Sequence, residues 1–198
     1  MRYGPEHKTQ SREKILRAAA RELRAKGPDR LGVADVMRSA GLTHGGFYAH
    51  FASKDALIAE ALEAMFAEAA ASSSRLDAAL ADPQADVRPA LRGFLAAYLS
   101  PAHRDGPQPG CPLPALAGDI ARGDAMARDR FARGLARTGA RIAAALRRLG
   151  DRNPDVGARA VTAQIVGAVA LARALGRGAE SDAFLRDTLE ALLERFGL

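Results

Sequence analysis

Apolar residues recur along this chain at helical spacing, and no useful length of it alternates with the period of a strand. Over residues 9–26 they fall at Ile15, Leu16, Ala19, Ala20 and Leu23, a single stripe that excludes Arg12, Arg17, Arg21 and Arg24. Gly27-Pro28 ends that helix, because glycine suits the C-cap region and proline cannot continue the ladder. A short second helix is predicted over 33–40, with Val33, Val36, Met37 and Ala40 on one face and Gly41 as its stop. Thr43 is expected to cap a third short helix through its hydroxyl, and Ser53 to cap a fourth over 54–80, with Asp55 complementing the dipole of the first turn. Further helices are predicted over 86–99, 113–122, 124–149, 154–175 and 181–196, while the stretch 100–114, with five prolines and two glycines, is expected to be a loop.

The predicted fold class is all-α, with about nine helices by this periodicity. An N-terminal three-helix unit over 1–53, its last two helices joined by a tight turn as a helix-turn-helix, precedes a helical bundle over 54–198. Composition agrees: 198 residues with 48% apolar content suffice for a sizeable core, and abundant alanine with only 5% aromatics favours helices. Cys111 is the one cysteine, which excludes an intrachain disulfide and a cysteine-rich zinc site. The start, MRYGPEHKTQSREK, has no apolar core to make a signal peptide, and no run of about eighteen apolar residues predicts a membrane span. A cytoplasmic protein without a membrane partner is therefore expected.

Charge changes the picture more than composition does. Residues 1–55 hold eleven Lys/Arg against six Asp/Glu, a net of +5 out of +6 for the whole chain. A basic segment on a near-neutral body points to a polyanionic partner, nucleic acid before membrane.

Within that segment stand Ala40-Gly41-Leu42-Thr43, then Gly45-Gly46-Phe47-Tyr48-Ala49-His50-Phe51, then Ser53-Lys54-Asp55-Ala56-Leu57. Gly41 permits a tight turn between helices. Phe47 and Phe51, four apart, share a face and are expected to pack the short helix down. Tyr48 and His50 point elsewhere, and Lys54 opens the next helix, where an ammonium and unpaired amides together favour phosphate. Over about 10–60 these residues resemble the DNA-binding signature of TetR-type (tetracycline repressor-like) regulators.

The resemblance implies a sequence-specific DNA-binding transcriptional regulator, a repressor released by a small-molecule effector, whose helical body dimerises and whose two heads read a pseudo-palindromic operator in double-stranded DNA. It implies backbone contacts from Thr43, Tyr48, His50 and Lys54, and base-facing positions at Thr43, His44 and Gly45. The chain departs from the pattern at Gly32, where relatives often carry a capping hydroxyl, and at Gly45-Gly46, two poor helix formers.

For the body, Phe66, Phe94, Tyr98, Met126 and Phe131 are candidates to line an effector pocket, together with Cys111. Val161, Ile165 and Val169, with Phe184, Leu189 and Leu192, are candidates for a homodimer interface. Two alternatives stand beside this reading: a DNA-binding or architectural protein without small-molecule sensing, and a redox or electrophile sensor acting through the thiol of Cys111 in Gly110-Cys111-Pro112. No H-E-x-x-H, G-x-S-x-G or phosphate loop occurs, so no catalytic residue, metal or cofactor is expected, and the protein is not expected to be an enzyme.

Overall fold

Ile15, Leu23 and the alanines at 18, 19 and 20 are almost wholly shielded from solvent, and this stripe organises the first helix, α1 (Pro5–Lys26). The computed structural model describes residues 5–106 and 110–198, so the first four residues of the predicted polar N-terminus and the centre of the predicted 100–114 loop lie outside the described residues. Gly27 closes α1 in the left-handed region at φ +73°, its amide bonded to the Leu23 carbonyl at 2.9 Å. There follow α2 (Val33–Ser39), a 3₁₀ helix η1 (His44–Ala49), α3 (Lys54–Ala71), α4 (Ser74–Ala81), α5 (Arg88–Tyr98), α6 (Pro101–Asp105), α7 (Pro112–Ile120), α8 (Ala125–Arg148), α9 (Pro154–Leu175) and α10 (Ala179–Phe196). No strand occurs among the described residues.

Three elements differ from the sequence expectation. The helix expected over 54–80 breaks at Ser72-Ser73, where amides bond three residues back to Ala69 and Ala70 and the Ser72 hydroxyl donates to the Ala69 carbonyl at 2.8 Å. Serine hydroxyls compete with the helical ladder, and three stand in a row here. Inside the expected loop, Ser100 caps a one-turn helix, its Oγ accepting from the His103 amide at 3.1 Å, with Pro101 at the first helical position. The third helix is 3₁₀ rather than α, and Thr43 occupies its N-cap without a side-chain capping bond. Six residues that include Gly45-Gly46 give little α-helical propensity to resist the tighter winding. Ser53 does cap α3 as expected, accepting from the Ala56 amide at 3.0 Å.

The chain divides into two compact units: the residues through Ala67 with Cys111–Gly134, and Glu68–Gly110 with Leu135–Leu198. This corrects a boundary at residue 53. In the first unit Leu57, Leu62 and Met65 of α3 and Leu116 and Ile120 of α7 join Ile15, Leu23, Val36, Met37, Phe47 and Phe51 in one apolar cluster. Once α3 and α7 share a core with the short helices, they belong to the same packing unit. In the second unit α9 packs along α10. Among the described helices α9 is long and apolar enough to cross a membrane by length and composition, and eight of its 22 residues are buried inside the protein.

Candidate nucleic-acid interface

Between α2 and η1 the chain turns at Gly41, φ +72°, with its amide bonded to the Arg38 carbonyl at 3.0 Å and the Leu42 amide to the Met37 carbonyl at 2.9 Å. An added Cβ would meet nothing within 4 Å there, so it is the left-handed backbone that requires glycine. Val36 and Met37 anchor α2 in the core. Gly32 stands at its N-cap without a side-chain bond.

Phe47 and Phe51 are 1% and 3% exposed, their rings stacked with centroids 5.8 Å apart. The Arg12 guanidinium lies 4.6 Å over the Phe51 ring and pairs with Glu60 of α3 at 2.5 Å, so α1 clamps this end of the short helix. That role of Arg12 is invisible along α1, because it depends on residues about forty positions away in the chain.

The other side chains turn outward. Tyr48 is 74% exposed, its ring edge-on to Phe47 at 5.2 Å. Thr43, His44, Gly45 and Ala49 are exposed beside it. Lys54 is half-buried and its Nζ donates to the Asp29 carbonyl at 3.3 Å, which ties the start of α3 to the α1–α2 turn. His50 is half-buried with Nδ1 shielded and without a hydrogen-bond partner. Burial pushes its imidazole below the ordinary 6.5, and the nearby charges of Lys8 and Arg12 and the ring of His7 push the same way. Lys8, Lys14, Arg17, Arg30 and Arg38 are exposed in the same unit, Arg38 paired with Asp35 one turn back.

The six candidate pocket residues are divided between the two units. Phe66 is buried against Phe131 (centroids 6.0 Å, edge to face) in the first unit, where Cys111 is also buried, at the N-cap of α7, and Met126 is exposed. Phe94 and Tyr98 lie together in the second unit, 6.0 Å apart, with His103 edge-on to Tyr98 at 4.6 Å.

Among the interface candidates, Val161, Ile165, Val169 and Leu192 are at most 1% exposed and belong to the interior, Leu189 is half-buried, and Phe184 is exposed. A helix apolar on all sides hides which face is inward, and here the outward face of α9 carries Gln164, Gly167 and Leu171, beside Phe184, Thr188 and Arg195 of α10. These line an open groove of about 450 Å³ between α9 and α10.

The family described as bacterial regulatory proteins, tetR family, matches residues 15–61. The HTH-type transcriptional regulator YvdT of Bacillus subtilis is 46% identical over 46 residues, 23% of this chain and 24% of that protein, so the match spans about a quarter of that relative's length. The crystal structure of E. coli NemR in its reduced form superposes with a TM-score of 0.77 at 21% identity, covering 92% of this chain and 94% of that one. A TetR-family transcriptional regulator from Agrobacterium tumefaciens gives 0.78 at 20% identity, over 95% and 98%. These structures share the fold from α1 to α10. Residues 15–61 thus match the segment that defines the tetR family of bacterial regulatory proteins, and the rest of the chain shares the helical fold of solved TetR-type structures.

Proposed function

We propose that this protein is a sequence-specific DNA-binding transcriptional regulator, a cytoplasmic, non-enzymatic repressor that binds a pseudo-palindromic site as a homodimer and leaves it when a small molecule binds the helical body. The observation that carries the reading is the division of labour in η1. Phe47 and Phe51 are spent on the core, while Thr43, His44, Gly45 and Tyr48 face solvent on or beside a six-residue element within residues 1–55, which carry a net charge of +5. Exposed tyrosine and lysine ends beside such an element suit phosphate oxygens, which position a protein on the duplex without reading sequence.

The open groove between α9 and α10, with exposed Leu171 and Phe184, supports pairing of two copies. Release by an effector is supported by α7: Leu116 and Ile120 sit in the same apolar cluster as Phe47, so a shift of this helix bears directly on the reading element. The burial of Cys111 favours a small-molecule signal over a thiol sensor, because reactive thiols need access.

The test is selection of duplexes from a randomised pool by the full-length protein, followed by titration at several salt concentrations. An enriched inverted repeat is expected, with affinity falling as salt rises. Lys54→Ala should weaken binding to every duplex and reduce the logarithmic salt slope by about 1. Absence of both enrichment and salt-dependent binding would sink the reading.

A further inference from the structure

We infer that Asp187 and Arg195 make the face of α10 complementary to itself, so that a second copy of this chain seats antiparallel across Ala191, the Asp187 carboxylate of each copy on the Arg195 guanidinium of the other. The inference rests on the pairing proposed above and deepens it, naming the orientation, the crossing point and the residues that select the partner.

The groove between α9 and α10 is lined mostly by small and apolar side chains, among them Gly167, Leu171, Phe184 and Ala191. Two charges interrupt them. Of the ionisable side chains of α9 and α10, Asp187 and Arg195 alone line the groove, and both are exposed. They stand four residues before and four after Ala191, about 6 Å along the helix axis on each side of it. Residues four apart share a helix face, and all three positions here open on the same groove.

A pairing that closes with two copies is two-fold, so each contact from one copy is returned by the other. Crossing antiparallel at Ala191, two α10 helices bring opposite charges together twice, Asp187 with Arg195 and Arg195 with Asp187. Laid parallel, the same helices would set Asp187 on Asp187 and Arg195 on Arg195. Like charges juxtaposed across an interface are strongly unfavourable, so the charge pattern itself chooses the antiparallel arrangement. Ala191 at the crossing presents a single methyl, which lets the two helices come close. Exposed Phe184 and Leu171 add apolar surface to the same face.

Within one copy, Asp187 pairs with its neighbour Arg186 at 2.9 Å, and the Arg195 guanidinium lies 4.8 Å over the Phe196 ring. Asp187, Arg186 and Arg195 are all exposed. An exposed ion pair contributes little, so these local contacts yield to a pair that a second copy shields from water.

The experiment measures the dimer dissociation constant of the full-length wild type, Asp187→Arg, Arg195→Asp and the chain carrying both, by sedimentation velocity. Each single substitution puts like charges at both contacts and is expected to raise the constant about tenfold or more. The double substitution restores opposite charges and is expected to return it to within about threefold of wild type. An equimolar mixture of the two single variants, one carrying a mass tag, should form the mixed dimer in preference to either self-pair. One copy then brings two cations to the face and the other two anions. The inference is overturned if the single variants dimerise as the wild type does, if the double variant is no tighter than the singles, or if the mixture shows no preference. A wild type that stays monomeric at every concentration defeats the pairing reading itself and leaves the groove to another partner, so the two failures are told apart by the wild-type measurement.

Discussion

The ring of Phe66 occupies the place where a side chain on Gly134 would begin: a Cβ on that glycine would sit 2.2 Å from both Cε2 and Cζ. Helices α3 and α8 thus meet through an aromatic ring laid on bare backbone, with Phe131 edge-on behind it. Alanine at 134 should gain up to about 1 kcal/mol of helix propensity. The steric conflict outweighs that gain, because overpacking a filled core costs typically about 1–3 kcal/mol. Gly134→Ala is therefore expected to lower stability in denaturant titrations, and Phe66→Leu in the same chain to recover part of the loss. A Gly134→Ala protein as stable as wild type would show that the ring is free to move.

Arg104 offers a second test. Its side chain is 5% exposed and donates to both Asp105 carboxylate oxygens (2.8 and 3.0 Å), to Asp182 at 2.5 Å and to the Ser181 hydroxyl at 2.7 Å. The Arg104 hydrogen bond, against the effect of burial, holds the Asp105 carboxyl below its ordinary 3.8, and the charges of Arg104 and Arg177 add to this. A depressed carboxylate stabilises the fold above its unfolded pKa and loses that contribution as pH falls through the lower folded value. Arg104→Met should lower Tm at neutral pH, because Asp105 and Asp182 both lose the buried guanidinium and Asp105 keeps only the exposed Arg177 at 3.2 Å. It should also move the acid limb of the Tm–pH curve upward, and an unmoved limb would remove Asp105 from the account.

Two histidines set a milder pH dependence nearer neutrality. His103 is half-buried and donates from Nδ1 to the Tyr98 carbonyl at 2.7 Å; burial lowers its pKa below 6.5, the hydrogen bond opposes this, and Arg173 adds to it. His50 is lowered as well, chiefly by burial. Both groups bind a proton more readily in the unfolded chain, so their contribution is complete above 6.5 and is lost as pH falls through the lowered folded values. The stability of the wild type should decline through that window. His50→Gln with His103→Gln should flatten the decline in melts across it.

Two substitutions tell the proposed pairing face at the α9–α10 groove from the interior. Phe184→Asp is expected to shift the mass in light scattering from dimer to monomer while leaving the far-ultraviolet helical signal intact. Affinity for the selected duplex should then fall by about a hundredfold or more, as linkage of two heads is lost. Ile165→Ala, at a wholly buried position, should cost about 2–5 kcal/mol of stability with no change of mass. If Phe184→Asp remains a dimer, the exposed face serves something other than self-association.

What the sequence reveals about this molecule follows the range of the forces involved. Phe47 and Phe51, one turn apart beside polar neighbours, disclose their burial from spacing alone, and Ser53 its cap. The break at Ser72-Ser73 and the turn of helix after Ser100 are local too, but proline and serine there compete with longer periodic patterns. The outward face of α9 is not legible, because a helix apolar on every side carries no polar mark for solvent. Nor is the contact of Phe66 with Gly134, or of Arg12 with Glu60, since these arise only when distant segments meet.

The first unit is sewn from two lengths of chain, the second of which begins at Cys111. The reading head is consequently not a cassette that can be cut off at its C-terminal side. A fragment ending at Ala67 would leave Ile15, Leu23 and Leu62 without the cover of Leu116 and Ile120. Transplanting the proposed DNA specificity onto another scaffold would mean carrying α7 and the first turns of α8 along with it.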